Sequence, residues 1–194
     1  MSTSRLEAFS DGVMAILITI MVLELRVPHG TDWSDLVAVL PVAAAYVLSF
    51  VYIGIYWNNH HHMFQAVERA SGPVLWANLH LLFWLSIVPF VTAWLGHGPR
   101  VAAPTAAYGV VMVLCAVAFA LLERAIIAQD GAESKLAQAV GNQRKEQVSL
   151  ALYTAAVPVA FVAPWVSQLI FVGVALLWLV PDRRVENLLH DSPR

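Results

Sequence analysis

Four stretches of this chain are apolar for long enough to cross a lipid bilayer, and that fixes the solvent in which most of it must fold. A hydrocarbon core of about 30 Å is crossed by roughly 20 apolar residues in a helix. By this criterion crossings are predicted at Phe9 to Val27, Leu36 to Met63, Pro73 to Leu95 and Ala103 to Ala128. Two shorter apolar runs, Val148 to Ala163 and Val166 to Val180, follow a polar connection from Gln129 to Gln147 and are separated by Pro164 and Trp165. The predicted fold is all-α, a single polytopic membrane domain over residues 1–194 with six transmembrane helices. With 59% hydrophobic and 12% charged residues, against about 25% charged in average soluble domains, the chain cannot hide its apolar surface in a water-soluble core. The net charge of -2 gives no reason to expect a nucleic-acid partner. Cys115 stands alone in an apolar run, which excludes an internal disulfide and predicts a small buried side chain.

A basic residue before an apolar run is also the outline of a signal peptide. Here Asp11 precedes the run, and Glu24, Leu25 and Arg26 follow it with no small-x-small cleavage site. The segment is therefore read as a permanent helix. Orientation follows from charge. The chain before the first span, the turn at Glu68 and Arg69, the segment from Arg124 to Lys145 and the tail with Arg183, Arg184 and Arg194 hold nine of the eleven Lys and Arg residues. The positive-inside rule puts that set in the cytoplasm, with both ends of the chain inside and the protein in the cell membrane. Pro41, Pro89 and Pro158 are expected within spans, where neighbouring helices can satisfy the carbonyls they free.

The first span has two faces. At about 100° per residue, Ile16, Ile20 and Leu23 form one apolar stripe with Thr19 on its flank, while Ser10 and Asp11 point away from it. Arg5, Ser10 and Asp11 can meet Asn58, Asn59 and His60 to His62 of the second span, and Asn78 and His80 of the third, near the cytoplasmic side. Buried polar groups need partners, so these residues are read as a hydrogen-bonded knot that fixes the first helix. A functional version of the same reading has the knot set the tilt of a pore-lining helix. Consecutive helical residues point about 100° apart, so the three adjacent histidines cannot converge on one ion and no metal site is predicted. Glu123 and Arg124 are read as an interfacial charged pair, and no residue pattern indicates an enzyme.

Arg5, Phe9, Ser10 and Asp11 form an RxxxFSD signature at the head of the first span; Trp57 to Phe64 (WNNHHHMF) and Trp76 to Leu82 (WANLHLL) add two further stretches. Together they resemble the transmembrane protein 175 family of potassium channels, well over Arg5 to Trp94 and in hydropathy beyond it. The resemblance implies a homotetramer whose first helices surround the conduction axis, with potassium ions, the bilayer and identical subunits as partners and no cofactor. It implies that Ile16, five positions after the signature aspartate, forms a constriction, with Ile20 and Leu23 as further apolar rings. It also implies that Arg5, Phe9, Ser10, Asp11, Trp57, His60, His61 and Asn78 form the signature packing network. Without a TVGYG-like segment, no filter of stacked carbonyls is available, and selection must come from pore width and the ease of stripping water. Thr19 is the one stripe residue that can offer oxygen ligands and is expected to tune selectivity. Glu24, with Asp32 and Asp35 nearby, is either an acidic pore mouth or a helix-end partner for Arg26. The alternative reading is a transmembrane redox protein binding haem through His60, His61 or His80. A carrier with a midplane site would want polar groups at the centres of its spans, which are nearly all apolar here.

Overall fold

A computed structural model describes residues 3–65, 67, 69–131, 133, 134, 136, 137 and 144–179. They form seven helices: α1 (Thr3–Val22), α2 (Trp33–Val37), α3 (Leu40–Gln65), α4 (Gly72–His97), α5 (Ala102–Asp130), α6 (Arg144–Val159) and α7 (Pro164–Leu179). The fold is all-helical. Three helices, α3, α4 and α5, are long and apolar enough to cross a membrane, and α7 is apolar over a shorter length. Glu68, Lys135, Val180, Arg183, Arg184 and Arg194, which entered the expectations for orientation and for the last span, lie outside the described residues, as do residues 132 and 138–143 of the Gln129 to Gln147 connection.

Helix ends depart from the predicted boundaries for local reasons. α1 starts at Thr3 rather than Phe9, because Ser4, Arg5 and Glu7 can continue a helix although they add nothing to hydropathy, and Leu6 is buried on its packed side. It ends at Val22 rather than Val27. The N–H groups of Leu23, Glu24 and Leu25 bond three residues back, to Ile20, Met21 and Val22, which tightens the chain into a turn before Pro28. The predicted start of the second span, Leu36, falls in α2, and α3 begins only at Leu40. Pro41 is thus in the first turn of α3 and not within the span, at a place where its missing N–H costs nothing. Pro158 lies at the last turn of α6, and Pro164 opens α7, so the break between them falls at residues 160–163. α5 stops where Gly131 takes a φ of 93° and its N–H caps the Ile127 carbonyl at 2.9 Å. A side chain there would be strained.

α4 is the hub, packed against α1, α3 and α5, while α6 and α7 close on the far side of α3 and α5. Lipid supplies little hydrophobic drive between helices, so close approach and polar bonds decide how they pack. Tyr108 of α5, Ser49 of α3 and Thr92 of α4 meet in a buried line, with Ser49 Oγ 3.0 Å from the Tyr108 hydroxyl and 2.7 Å from Thr92 Oγ1. Thr92 gives its own proton to the Val88 carbonyl. The proton order is then Tyr108 to Ser49 to Thr92 to backbone, and every hydroxyl is used. Tyr52 of α3 donates to the Phe171 carbonyl of α7, and the Phe171 ring lies 5.1 Å from that of Tyr108. Gly96 of α4 lets the α3 backbone approach, since a Cβ there would sit 2.8 Å from Val42 Cα. Gly96→Ala is expected to destabilise the bundle by about 1–3 kcal/mol through this overpacking, read as a lower melting temperature in detergent.

Candidate functional site

α1 is held along one side. Leu6, Ser10, Met14, Leu17 and Met21 recur at intervals of three and four and are buried against α3 and α4. The opposite side has no helix packed over it among the described residues. Ile16 is 57% exposed, Ile20 47% and Leu23 77%, whereas Met14, on the packed side, is 1% exposed. Thr19 lies on the open side and donates its hydroxyl proton to the Ile16 carbonyl at 2.9 Å. Its oxygen can therefore offer a cation lone pairs only. Leu23 and Glu24 stand in the turn beyond the helix and not on it. Glu24 is half-buried, and it forms no ion pair with Arg26 among the described residues. Asp35 is drawn into capping α2, accepting from the Asp32 N–H at 3.1 Å.

The packed side of α1 ends in two polar clusters. In the buried one, Asn78 Nδ2 of α4 donates to Ser10 Oγ at 3.0 Å, and Ser10 donates to the Leu6 carbonyl at 2.9 Å. His60 Nε2 of α3 reaches Asn78 Oδ1 at 2.8 Å. Since Oδ1 can only accept, this ring nitrogen carries the proton. Ser10, His60 and Asn78 are at most 1% exposed, so one line of bonds ties α1, α3 and α4 together away from water. In the exposed cluster, Trp57 Nε1 donates to Asp11 Oδ1 at 3.0 Å and the indole stacks on His61, with ring centres 5.9 Å apart. His61 Nδ1 faces Glu7 Oε1 at 4.0 Å, and Gln65 Nε2 contacts His61 Nε2 at 2.9 Å.

Some residues expected in the knot are not in it. Arg5 is exposed and joins neither cluster, and Phe9 is 53% exposed. Asn58 is exposed, Asn59 bonds back to the Ile55 carbonyl of its own helix, and His80 Nε2 accepts from Trp84 Nε1 at 2.9 Å. The reaching nitrogens of His60, His61 and His80, which a haem would need, are thus each engaged with a side chain. Sequence reasoning missed Glu7 and Gln65, whose signal was their spacing of three or four residues from cluster members on the same helix. It also missed the Ser49, Thr92 and Tyr108 line, whose signal was three hydroxyls inside apolar spans.

A sequence profile for the family described as the endosomal/lysosomal potassium channel TMEM175 matches residues 5–89, the part that carries both clusters and the open face of α1. A potassium channel of Chryseobacterium sp. (strain P1-3) is 48% identical over 192 residues, covering 99% of this chain and 100% of that one. The chain belongs to the TMEM175 family. A potassium channel of Chamaesiphon minutus is 31% identical over 180 residues, covering 85% of this chain and 87% of that one. The crystal structure of a lysosomal potassium-selective channel TMEM175 homolog from that organism superimposes with a TM-score of 0.78 at 28% identity, covering 94% of this chain and 97% of that one. This TMEM175 family member is therefore a helical membrane protein.

The pair expected at the end of α5 is also rearranged. Glu123 is 2% exposed and meets the carboxyl of Glu146, in the polar first turn of α6 ahead of its apolar run. Burial, then the Glu123 charge and the hydrogen bond between the two carboxyls, push the Glu146 carboxyl up to about 7, with Arg124 pulling the other way. The folded chain keeps a proton that an unfolded chain releases from pH 4.5 upward, so stability falls as pH rises through 7. Glu146→Gln is expected to flatten that fall between pH 5 and about pH 8, measured as melting temperature against pH. Asn78→Leu leaves Ser10 and His60 short of partners in the bundle and is expected to cost about 1–3 kcal/mol, more than Trp57→Phe at the water-exposed cluster. Thermal unfolding of the two variants in detergent ranks them.

Proposed function

We propose that this protein is a potassium-permeable cation channel in which four identical subunits place α1 around a common axis. The carrying observation is the asymmetry of α1, whose packed side is tied to α3 and α4 while Ile16, Thr19 and Ile20 stand open on the other, with Leu23 exposed in the turn just beyond. Among the described residues no other helix covers that side, and a ring of copies supplies the cover. The potassium channels among its relatives support the ion, and a symmetric closed ring is the ordinary architecture for such an assembly. In this reading α1, α6 and α7 cross the membrane with α3, α4 and α5, giving six spans, and the short α2 lies at the outer surface. Both ends are cytoplasmic and the membrane is the cell membrane.

Conduction is passive and needs no chemical step, so no catalytic residue is assigned. Backbone carbonyls inside α1 are committed to its own helix and are not available to line a filter. The narrowest ring, Ile16, offers only branched hydrocarbon, so an ion passes at the cost of shedding water, and potassium sheds it more readily than sodium. Thr19 recovers part of that cost one turn further out, where its oxygen presents lone pairs because its proton is already given to the Ile16 carbonyl. Glu24, half-buried in the turn above Leu23 and without an ion pair to Arg26, serves as an acidic outer mouth that concentrates cations. Apolar rings of this kind also close by dewetting.

Ile16→Asn is expected to raise potassium flux and lower the preference for potassium over sodium, by about fivefold for each ~1 kcal/mol removed from the barrier. Flux into liposomes containing only the purified protein measures this. A flux and preference equal to wild type would place Ile16 away from the conduction path.

A further inference from the structure

The open side of α1 does not end at Ile16. Stepping inward along the helix by seven residues and then four, about 20° to either side of the Ile16 direction, the next side chains on the same line are Phe9 and Arg5. Phe9 is 53% exposed and Arg5 is exposed, like Ile16 itself. Between them and Ile16 stands Gly12, also exposed, with nothing within 4 Å of where a Cβ would be. The acids near the inner end of α1 lie elsewhere: Glu7 faces His61 of α3, and Asp11 is bonded to Trp57 of α3. Arg5 has no hydrogen bond or ion pair among the described residues. α1 therefore sorts its inner charges, acids to the side of α3 and the single base to the side of Ile16.

Resting on the channel reading above, we propose that Arg5 forms a cationic collar at the inner mouth of the pore, which opposes cation access from the cytoplasm and makes conduction direction-dependent. Arg5 stands about 16 Å along the helix from Ile16, beyond the Debye length of about 8 Å at physiological ionic strength. At that ionic strength the collar leaves the constriction unaltered, and at 10 mM, where the length rises to about 30 Å, its field still falls most heavily on the inner mouth. It lowers the concentration of potassium waiting at the inner mouth, and so reduces outward current more than inward current. Four guanidinium groups facing one axis supply the field, and a guanidinium stays charged at every working pH. Phe9 and Gly12 separate the collar from the constriction with a wide, uncharged step.

The test is the ratio of outward to inward current at equal and opposite voltages in planar bilayers, with the protein inserted in one orientation. Arg5→Gln is expected to raise that ratio about twofold or more at 10 mM potassium chloride, and the difference should vanish at about 1 M, where the Debye length falls to ~3 Å. Arg5→Lys should keep the wild-type ratio. Because the substitution could disturb assembly, Arg5→Cys is also modified after insertion, from the cytoplasmic side. A cationic methanethiosulfonate should restore the low ratio and an anionic one should raise it further. The native Cys115 is fully buried and is spared by both reagents. Ile16→Asn is recorded in parallel. If Ile16→Asn changes flux while every residue-5 variant keeps the wild-type ratio at 10 mM, the collar is refuted and the pore reading stands. If modification at residue 5 disperses the oligomer without altering the ratio, Arg5 is a tether between subunits and the collar is again refuted. If neither position affects current, the pore reading falls and the collar with it.

Discussion

The arrangement depends on one line of buried hydrogen bonds, Leu6 to Ser10 to Asn78 to His60. An amide, a hydroxyl and an imidazole placed in a greasy bundle are each costly alone. Joined end to end they become a directional tie that an apolar contact cannot imitate, because Leu against Leu slides and rotates with little penalty. The bonds fix α1 in rotation and in depth against α3 and α4. Rotation is the sensitive quantity. Turning α1 by about 100° would replace the Ile16 line with the neighbouring one, and each side chain that defines the open face would point elsewhere.

Two polar layers thus serve different purposes at different depths. Around Ser10 the bonds orient a helix that touches its neighbours on one side only. Around Ser49, Thr92 and Tyr108 they join three helices that are already well packed, in a chain of protons with a defined direction ending on the Val88 carbonyl. Aromatic side chains fill the space beyond, with Phe171 between Tyr108 and Tyr153, and Tyr52 against Tyr153 in an edge contact at 6.0 Å. The scaffold behind α1 is therefore cross-linked through its core, while α1 itself is secured by the Ser10 line, the Trp57 to Asp11 bond and a row of methionines and leucines.

Much of this was legible from residue order alone. Apolar run length identified the long helices because a bilayer imposes a minimum, and spacing on α1 separated Ile16 and Ile20 from Ser10 since both sets obey one helical period, whereas Leu23 falls in the turn beyond it. Run length was a poor guide to where helices stop. Thr3, Ser4, Arg5 and Glu7 are polar yet helical, and Leu23 to Leu25 are partly apolar yet form a turn, because hydrogen-bond geometry before Pro28 outweighs hydropathy there. Placing Arg5 with Ser10 and Asp11 failed for a related reason. A signature motif groups residues by their order, but Arg5 is five residues before Ser10, which turns it about 140° around the helix. The pairing of hydroxyls such as Ser49 was invisible for the opposite reason, since a single serine in an apolar run marks a polar group that needs a partner but gives no hint of which distant side chain will meet it.

The corner between α6 and α7 has a consequence for the surrounding lipid. Residues 160–163 join the two helices, and around that break Phe161, Val162 and Trp165 are 67%, 89% and 63% exposed. Crossing as proposed, the hairpin carries this apolar corner at the outer surface, where an indole ring favours the boundary between headgroups and acyl chains. So greasy a tip resists both water and the bilayer centre, and the lipid boundary then sets the depth of that whole flank.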